Sequence, residues 1–200
     1  MTSASRQGMA GRVATMGVTG LNYHLFAVVN GWAGSHGLVD DVFEWAATWL
    51  IFVMAALTVV PGRALVRSGA WTVPLRVGAS LALALGIGQV VGRLAHEPRP
   101  FQTHVVHQLI PHAADASLPS DHATVAFALA FAIWVFLSRP WGIALTVLAT
   151  VIGFARVWVG VHYPGDIAAG ALIGAAAVTL VVAGERLMRR ARESRRPASP

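Results

Sequence analysis

Five stretches of mostly apolar residues alternate with short polar segments along the chain. A helix needs about 20 mostly apolar residues to cross a bilayer. The predicted spans cover residues 42–60, 74–92, 122–137, 141–161 and 166–184. The third span is short, so we expect its first turn to lie in a polar site rather than in lipid. The pattern predicts an all-α, polytopic membrane helix bundle.

A sixth segment, residues 21–33, is apolar on one side but carries Asn22, Tyr23, His24 and Asn30. These polar groups favour a helix that lies in the membrane interface over one that crosses the bilayer. A true sixth span is the alternative, so the bundle has five or six transmembrane helices. The chain then divides into an N-terminal tail (1–20), a membrane-embedded domain (21–184) and a basic tail (185–200).

The composition agrees with a membrane protein and excludes several other classes. Hydrophobic residues make up 56% and charged residues 12%, whereas a soluble domain carries about 25% charged residues. All 15 cationic residues are arginine, and the net charge is +6. They lie between and after apolar segments rather than on one face, so we predict no nucleic-acid partner. The absence of cysteine excludes disulfides and a cysteine nucleophile.

The placement of arginine predicts the orientation in the plasma membrane. If five spans alternate, ten arginines fall on one side, which should be cytoplasmic and should hold the C-terminus. These are Arg63, Arg67, Arg76, Arg139, Arg186, Arg189, Arg190, Arg192, Arg195 and Arg196. Two others, Arg6 and Arg12, lie outside in a five-span arrangement and inside in a six-span one.

The opposite, extracytoplasmic side collects polar residues that a membrane should exclude. Five of the eight histidines fall between His96 and His122, and His162 lies in another outer turn. Arg156 lies about one and a half helical turns before His162, where a charged group usually faces a polar cavity. Arginine suits phosphate oxygens, and histidine suits proton transfer near neutral pH. These residues predict a phosphate site at the outer membrane face.

Three local patterns sharpen this prediction. They are RLAHEPRPF (93–101), LPSDH (118–122) and RVWVGVHYPGD (156–166). Ser120 suits the N-cap of the third span, whose N-terminus would present free N–H groups to an anion. Pro164 and Gly165 should break the helix, so that Asp166 opens the fifth span and its carboxylate reaches back to His162. Such a pair fixes the imidazole tautomer and leaves one nitrogen free to attack.

These patterns resemble the signature of the type 2 phosphatidic acid phosphatase superfamily, Lys-x6-Arg-Pro, Pro-Ser-Gly-His and Ser-Arg-x5-His-x3-Asp. The resemblance covers about 21–184, which would make this segment a phosphatase domain. Within the superfamily, the chain is most similar to the bacitracin-resistance type of undecaprenyl-diphosphatase. That similarity lies in Leu21-Asn22-Tyr23, Arg99-Pro100-Phe101, His104, Leu109-Ile110-Pro111-His112, Asp115 and Pro119-Ser120-Asp121-His122.

The resemblance implies phosphoryl transfer through a phosphohistidine, without a metal or another cofactor. His162 would attack the terminal phosphorus, and Asp166 would orient it. His122 would protonate the leaving oxygen and then activate water. The phosphate oxygens would be held by substrate-binding residues, namely Arg99, Arg156, Ser120, Asp121 and Arg93.

The chain departs from the signature at three positions. Gly92 stands where the first motif has lysine, so Arg93, one residue later, is the cationic substitute. Asp121 replaces the glycine of the second motif; its carboxylate should pair with an arginine or stabilise the helix start, while its N–H could bind phosphate. Ala155 replaces the serine of the third motif, which removes one hydroxyl donor.

The resemblance points to a polyprenyl diphosphate as substrate, cleaved to the monophosphate and phosphate. This reaction would recycle the cell-wall lipid carrier and oppose bacitracin. Phosphatidic acid or phosphatidylglycerophosphate is the alternative substrate, and a non-catalytic lipid-phosphate transporter or flippase is the alternative class. His104, His107 and His112 suit polar loop positions over the site, with a zinc site as the alternative. The sequence does not predict the oligomeric state.

Overall fold

The regular elements of the protein are all helical in the part of the chain that the structure, a computed structural model, describes (residues 20–194). The seven helices are α1 (20–30), α2 (Gly37–Arg67), α3 (Thr72–Ala95), α4 (Pro100–Thr103), α5 (Asp121–Phe136), α6 (Arg139–Trp158) and α7 (Pro164–Ser194). The predicted all-α class is confirmed. Nearly all of the predicted N-terminal tail, with Arg6 and Arg12, lies outside the described residues, as do Arg195 and Arg196.

Four helical stretches are long and apolar enough to cross a bilayer. They are Gly37–Arg63, Thr72–Thr103, Arg139–Trp158 and Pro164–Ser194. The third predicted span, α5, has 16 residues, which at 1.5 Å per residue is about 24 Å. It is shorter than the hydrocarbon core of about 30 Å, as its short apolar run predicted.

The short helix α5 forms the centre of the bundle and packs against α3, α6 and α7. It is apolar on every side, and nine of its residues are buried, as expected of a helix enclosed by other helices. Gly174 of α7 allows the two backbones to approach closely, because a Cβ there would lie 2.7 Å from the Ala128 nitrogen of α5. Small residues at such contacts are typical of membrane helix pairs.

Several helix ends differ from the predicted spans, and α2 extends beyond 42–60 at both ends. Helix α6 ends at Trp158 rather than 161, because Gly160 adopts a left-handed φ of 81°. Helix α7 begins at Pro164 instead of Asp166, since proline's fixed φ and missing N–H suit a first helical turn. The same helix continues past 184 to Ser194, because the Glu, Arg, Leu and Met residues that follow are good helix formers.

Helix α1 lies against the end of the bundle that holds the loop 96–120 and the turn 159–163. It is about 16 Å long, too short to cross a bilayer. Its asparagines face the protein: Asn30 Nδ2 donates to the carbonyls of Trp158 (2.7 Å) and His107 (2.9 Å). Asn22 Oδ1 accepts a hydrogen bond from the Gly165 N–H at 2.8 Å. Within the described residues, these bonds explain the polar groups in the segment, and the interfacial position stays a prediction.

The two ends of the bundle differ in composition. The turns 68–71 and 137–138 lie at one end together with the end of α7, and the predicted topogenic arginines of the described residues lie in the helices next to them. The loop 96–120 and the turn 159–163 lie at the other end, with the starts of α5 and α7. The candidate site forms at this second end.

Candidate active site

The chain between α6 and α7 forms a tight turn that places His162 in the protein interior. Gly160 permits this turn because a Cβ at that position would lie 2.6 Å from the His107 carbonyl oxygen. His162 is 2% exposed and Asp166, in the first turn of α7, is fully buried. The tight turn therefore brings the two side chains together in a water-poor environment.

The Asp166 carboxylate holds His162 in one tautomer. Its Oδ2 lies 3.2 Å from Nδ1 of His162, and because a carboxylate can only accept, Nδ1 carries the proton. The same oxygen accepts from the Tyr163 N–H (2.8 Å) and the Ser117 hydroxyl (2.5 Å). Nε2 of His162 is therefore left with a lone pair, as a nucleophilic nitrogen requires.

Arg99 approaches this free nitrogen. Its Nη1 lies 3.1 Å from Nε2 of His162 and donates to the Val161 carbonyl at 3.0 Å. Its Nε donates to Asp115 at 2.8 Å, and this hydrogen bond lowers the pKa of Asp115 although burial acts in the opposite direction. The loop 104–120 thus fixes the guanidinium against the histidine.

Arg156 lies nearby in the last turn of α6 and is 3% exposed. Its Nη1 donates to the Ala47 carbonyl at 3.3 Å, while Nε and Nη2 are buried without a partner among the described residues. A buried guanidinium with unpaired N–H groups is costly unless an anion contacts it. Burial, followed by the charges of Arg156 and Arg99, holds the pKa of His162 well below its ordinary value. His162 is therefore neutral at physiological pH.

The start of α5 adds a hydroxyl and a second histidine. Ser120 is the predicted N-cap, and its Oγ accepts a hydrogen bond from the Ala123 N–H at 3.5 Å. Because Oγ acts there as acceptor, its own proton stays available to an anion. The Ser120 N–H donates to the Asp166 carbonyl at 3.2 Å. His122 follows in the first helical turn and is half-buried.

Two predicted residues lie at the rim rather than in the centre. Arg93 and Asp121 are exposed, and they line a cavity of about 290 Å³ together with Arg99 and Asp115. Neither side chain forms an ion pair within residues 20–194. Asp121 is thus an acidic residue in the first turn of α5, and its predicted pairing with an arginine is not observed there.

The three loop histidines lie apart from one another. His104 stacks on Tyr23, His107 is tied through its backbone to Asn30, and the His112 ring lies 6.1 Å from that of His162. Among the described residues, no group of three metal-ligating side chains is present. The zinc alternative therefore gains no support from the loop.

Sequence reasoning missed one residue of the site altogether. Ser117 is fully buried, and its hydroxyl donates to Asp166, yet it belongs to none of the three patterns. The only available signal was its position three residues before Ser120 in a loop rich in polar groups. The structure also pairs Asp115 with Arg99.

Comparisons with known proteins show the family and the fold of the chain. The PAP2 superfamily profile matches residues 74–188. The chain is 33% identical over 165 residues to undecaprenyl-diphosphatase BcrC of Bacillus subtilis, covering 81% of this chain and 80% of the relative. It is 32% identical over 160 residues to a Bacillus licheniformis protein named bacitracin transport permease protein BcrC, covering 80% and 78%. Among solved structures, Aquifex aeolicus LpxE superimposes with a TM-score of 0.66 at 24% identity, covering 81% of this chain and 94% of LpxE.

Proposed function

The chain belongs to the PAP2 superfamily and is a membrane lipid phosphatase, and we propose that it hydrolyses undecaprenyl diphosphate to undecaprenyl phosphate and phosphate. The observation that carries the proposal is the buried His162–Asp166 pair beside two buried arginines. The similarity to a relative named undecaprenyl-diphosphatase supports the choice of substrate. The reaction would recycle the lipid carrier and confer resistance to bacitracin.

In the proposed mechanism, Nε2 of His162 attacks the terminal phosphorus. A nitrogen–phosphorus bond forms while the bond to the bridging oxygen breaks, and His122 gives that oxygen a proton. His122 then takes a proton from water, which attacks the phosphohistidine, releases phosphate and restores His162. The Nδ1–H bond to Asp166 stabilises the positive charge that develops on the ring.

The arginines and the N-cap residue Ser120 would stabilise the negative charge on the phosphate oxygens in the transition state. The free Nε and Nη2 of Arg156 suit two phosphate oxygens. Arg99 Nη1, now directed at Nε2 of His162, would move its donor to an oxygen of the attacked phosphate. The Ser120 hydroxyl supplies a further donor. Fixed donors of this kind stabilise charge that is spread over the equatorial oxygens.

The sidedness of the site follows from the arginines at the other end of the bundle. Because basic residues favour the cytoplasmic side, we assign the site to the extracytoplasmic face of the plasma membrane and the C-terminus to the cytoplasm. The alternative substrates, phosphatidic acid and phosphatidylglycerophosphate, would react by the same steps.

A phosphate-release assay in detergent tests the proposal. With chelator present, we expect wild-type protein to release phosphate from undecaprenyl diphosphate and His162→Gln to release none, because the nucleophile is absent. A substrate that carries a radioactive terminal phosphate should rapidly label the wild-type protein, and the label should be released by acid, as expected of a phosphohistidine. Full activity of His162→Gln would overturn the mechanism. A transporter or flippase would release no phosphate even as wild type, and loss of activity on chelation would revive a metal-dependent reaction.

A further inference from the structure

His112 lies over the active site although it belongs to none of the three sequence patterns. Its ring centroid is 6.1 Å from that of His162, and the two rings are nearly perpendicular at 75°. The side chain is half-buried, at 23% exposure. His112 therefore faces the same space as the predicted nucleophile, from the opposite loop.

One ring nitrogen of His112 is already committed. Nδ1 lies 3.2 Å from the Ala113 carbonyl oxygen, and because a carbonyl only accepts, Nδ1 is the protonated nitrogen. Nε2 has no hydrogen-bond partner within residues 20–194. The ring is thus held by the loop through one nitrogen and has the other available for a ligand.

The charges around the site leave a role for another cation. The formal charges of three arginines and three aspartates at or near the site sum to zero, although only Arg99 and Asp115 form an ion pair; the six residues are Arg93, Arg99, Arg156, Asp115, Asp121 and Asp166. The half-buried Glu97 adds a further carboxylate. A diphosphate headgroup brings more negative charge than a monophosphate into this balanced site, and buried unpaired charge is costly. A protonated histidine beside the headgroup would offset part of this charge.

Among the histidines around the site, two have other tasks in the proposed mechanism, and His96 is exposed at the rim of the cavity. His162 has to remain neutral to attack, and His122 gives its proton to the leaving oxygen. We propose that His112 takes up a proton from solvent when a diphosphate headgroup binds and donates from Nε2 to that headgroup. His112 then sets the preference for a diphosphate over a monophosphate. This inference rests on the proposed function, because it assumes that phosphate binds beside His162.

The electrostatics of the loop agree with uptake of a proton on binding. Burial, followed by the charges of Arg99 and Arg156, lowers the pKa of His112, although its bond to Ala113 acts in the opposite direction. Phosphate oxygens bound at the two arginines would offset these charges. The same anion would attract a proton to Nε2, so that binding and protonation support each other.

The variant His112→Asn tests the inference. Asparagine retains a donor near the Nδ1 position for the Ala113 carbonyl but lacks the distal nitrogen. We expect kcat/KM for a polyprenyl diphosphate to fall about 10- to 100-fold, as for the loss of a hydrogen bond between charged groups. The value for the polyprenyl monophosphate of the same chain length should not change. Inhibition by inorganic pyrophosphate should weaken, while inhibition by inorganic phosphate should not.

His36→Asn is the matched control. His36 is an exposed histidine on the same side of the bundle, and its Nδ1 also bonds a backbone carbonyl, that of Trp32 at 3.2 Å. We expect this variant to match the wild type on both headgroups. If His112→Asn fails to fold, His112→Ala with the two inhibitors also removes the distal nitrogen and provides the comparison.

The outcomes separate this inference from the proposed function. Equal losses on both headgroups, or no loss on either, would overturn the role of His112 while leaving the phosphatase mechanism intact. A wild-type protein that releases no phosphate from the diphosphate would instead overturn the proposed function. A selective loss on the diphosphate, with weaker pyrophosphate inhibition, supports both.

Discussion

Arginines at the two ends of the bundle have opposite environments. At the end with the candidate site, Arg99 and Arg156 are 5% and 3% exposed. At the other end, Arg63 and Arg67 are exposed. Exposed arginines are inexpensive, and the sign of their charge is enough to orient the helices. Buried arginines are costly, and their retention calls for a ligand or a partner.

The partners of these arginines sharpen the contrast. Arg76, at the end opposite the site, forms an ion pair with Glu185 at 2.6 Å. Arg156 has no carboxylate partner among the described residues, and two of its nitrogens are unsatisfied. Local rules of stability are broken most often at functional sites. The comparison therefore indicates that buried N–H groups without hydrogen-bond partners, rather than charge itself, distinguish a proposed binding arginine from a predicted topogenic one.

Arg156→Met should produce the largest change and should move activity and stability in opposite directions. Removing a donor to the transition-state oxyanion is expected to lower kcat by about 100- to 1,000-fold. Replacing an unpaired buried charge by an apolar side chain of similar length should leave stability unchanged or raise it by about 1 kcal/mol or more. Phosphate release and thermal unfolding in detergent measure the two quantities.

Arg63→Met is the control for this comparison, since it removes an exposed arginine at the other end. We expect its kcat to equal that of the wild type. Retention of activity in Arg156→Met, or an equal loss in Arg63→Met, would contradict the distinction between the two sets of arginines.

Ser117→Ala should have an intermediate effect, because it weakens the support of the catalytic pair without removing a reacting group. Asp166 Oδ2 would lose the Ser117 hydroxyl but keep the bonds from Tyr163 N–H and His162. We expect about a tenfold lower kcat, as for one hydrogen bond to a charged group, with little change in KM. The pH dependence of kcat should also shift, because Ser117 is a positioning residue for the carboxylate.

Ser117→Thr provides the test of rescue. It restores the hydroxyl, so its kcat and pH profile should return toward those of the wild type. An unchanged pH profile in Ser117→Ala would indicate that the hydroxyl only fills space in the loop.

Much of the bundle could be predicted because hydrophobic length reports where a chain can cross a bilayer. The short run at 122–137 correctly predicted a short helix, and Ser120 correctly predicted the start of α5. Hydropathy does not report where helical hydrogen bonding ends. The true end of α6 depends on the backbone of Gly160, and the end of α7 lies among charged residues that remain helical.

The site was predictable where its residues lie close together in sequence. His162 and Asp166 are four residues apart, and the tight turn before α7 brings them together. Ser117 and His112 depend on how the loop 104–120 folds back over α7, and no local pattern encodes such contacts. Asn22 and Asn30 were visible as polar residues in an apolar segment, but their partners lie more than 70 residues away.

Glu185→Gln should have the smallest effect and completes the contrast between the two ends. The variant removes the carboxylate that pairs with Arg76, and both side chains are 32% exposed. Partly exposed ion pairs contribute about 0–1 kcal/mol, so the thermal midpoint should shift little and kcat should not change.

Asp115→Asn, which removes the partner of the buried Arg99, should lower kcat clearly under the same conditions, because the freed guanidinium can leave its position beside His162. If the two variants lose activity equally, the ion pair at the far end also supports catalysis. If Glu185→Gln keeps the wild-type kcat while Asp115→Asn has a lower kcat, the ion pairs at the two ends have different roles.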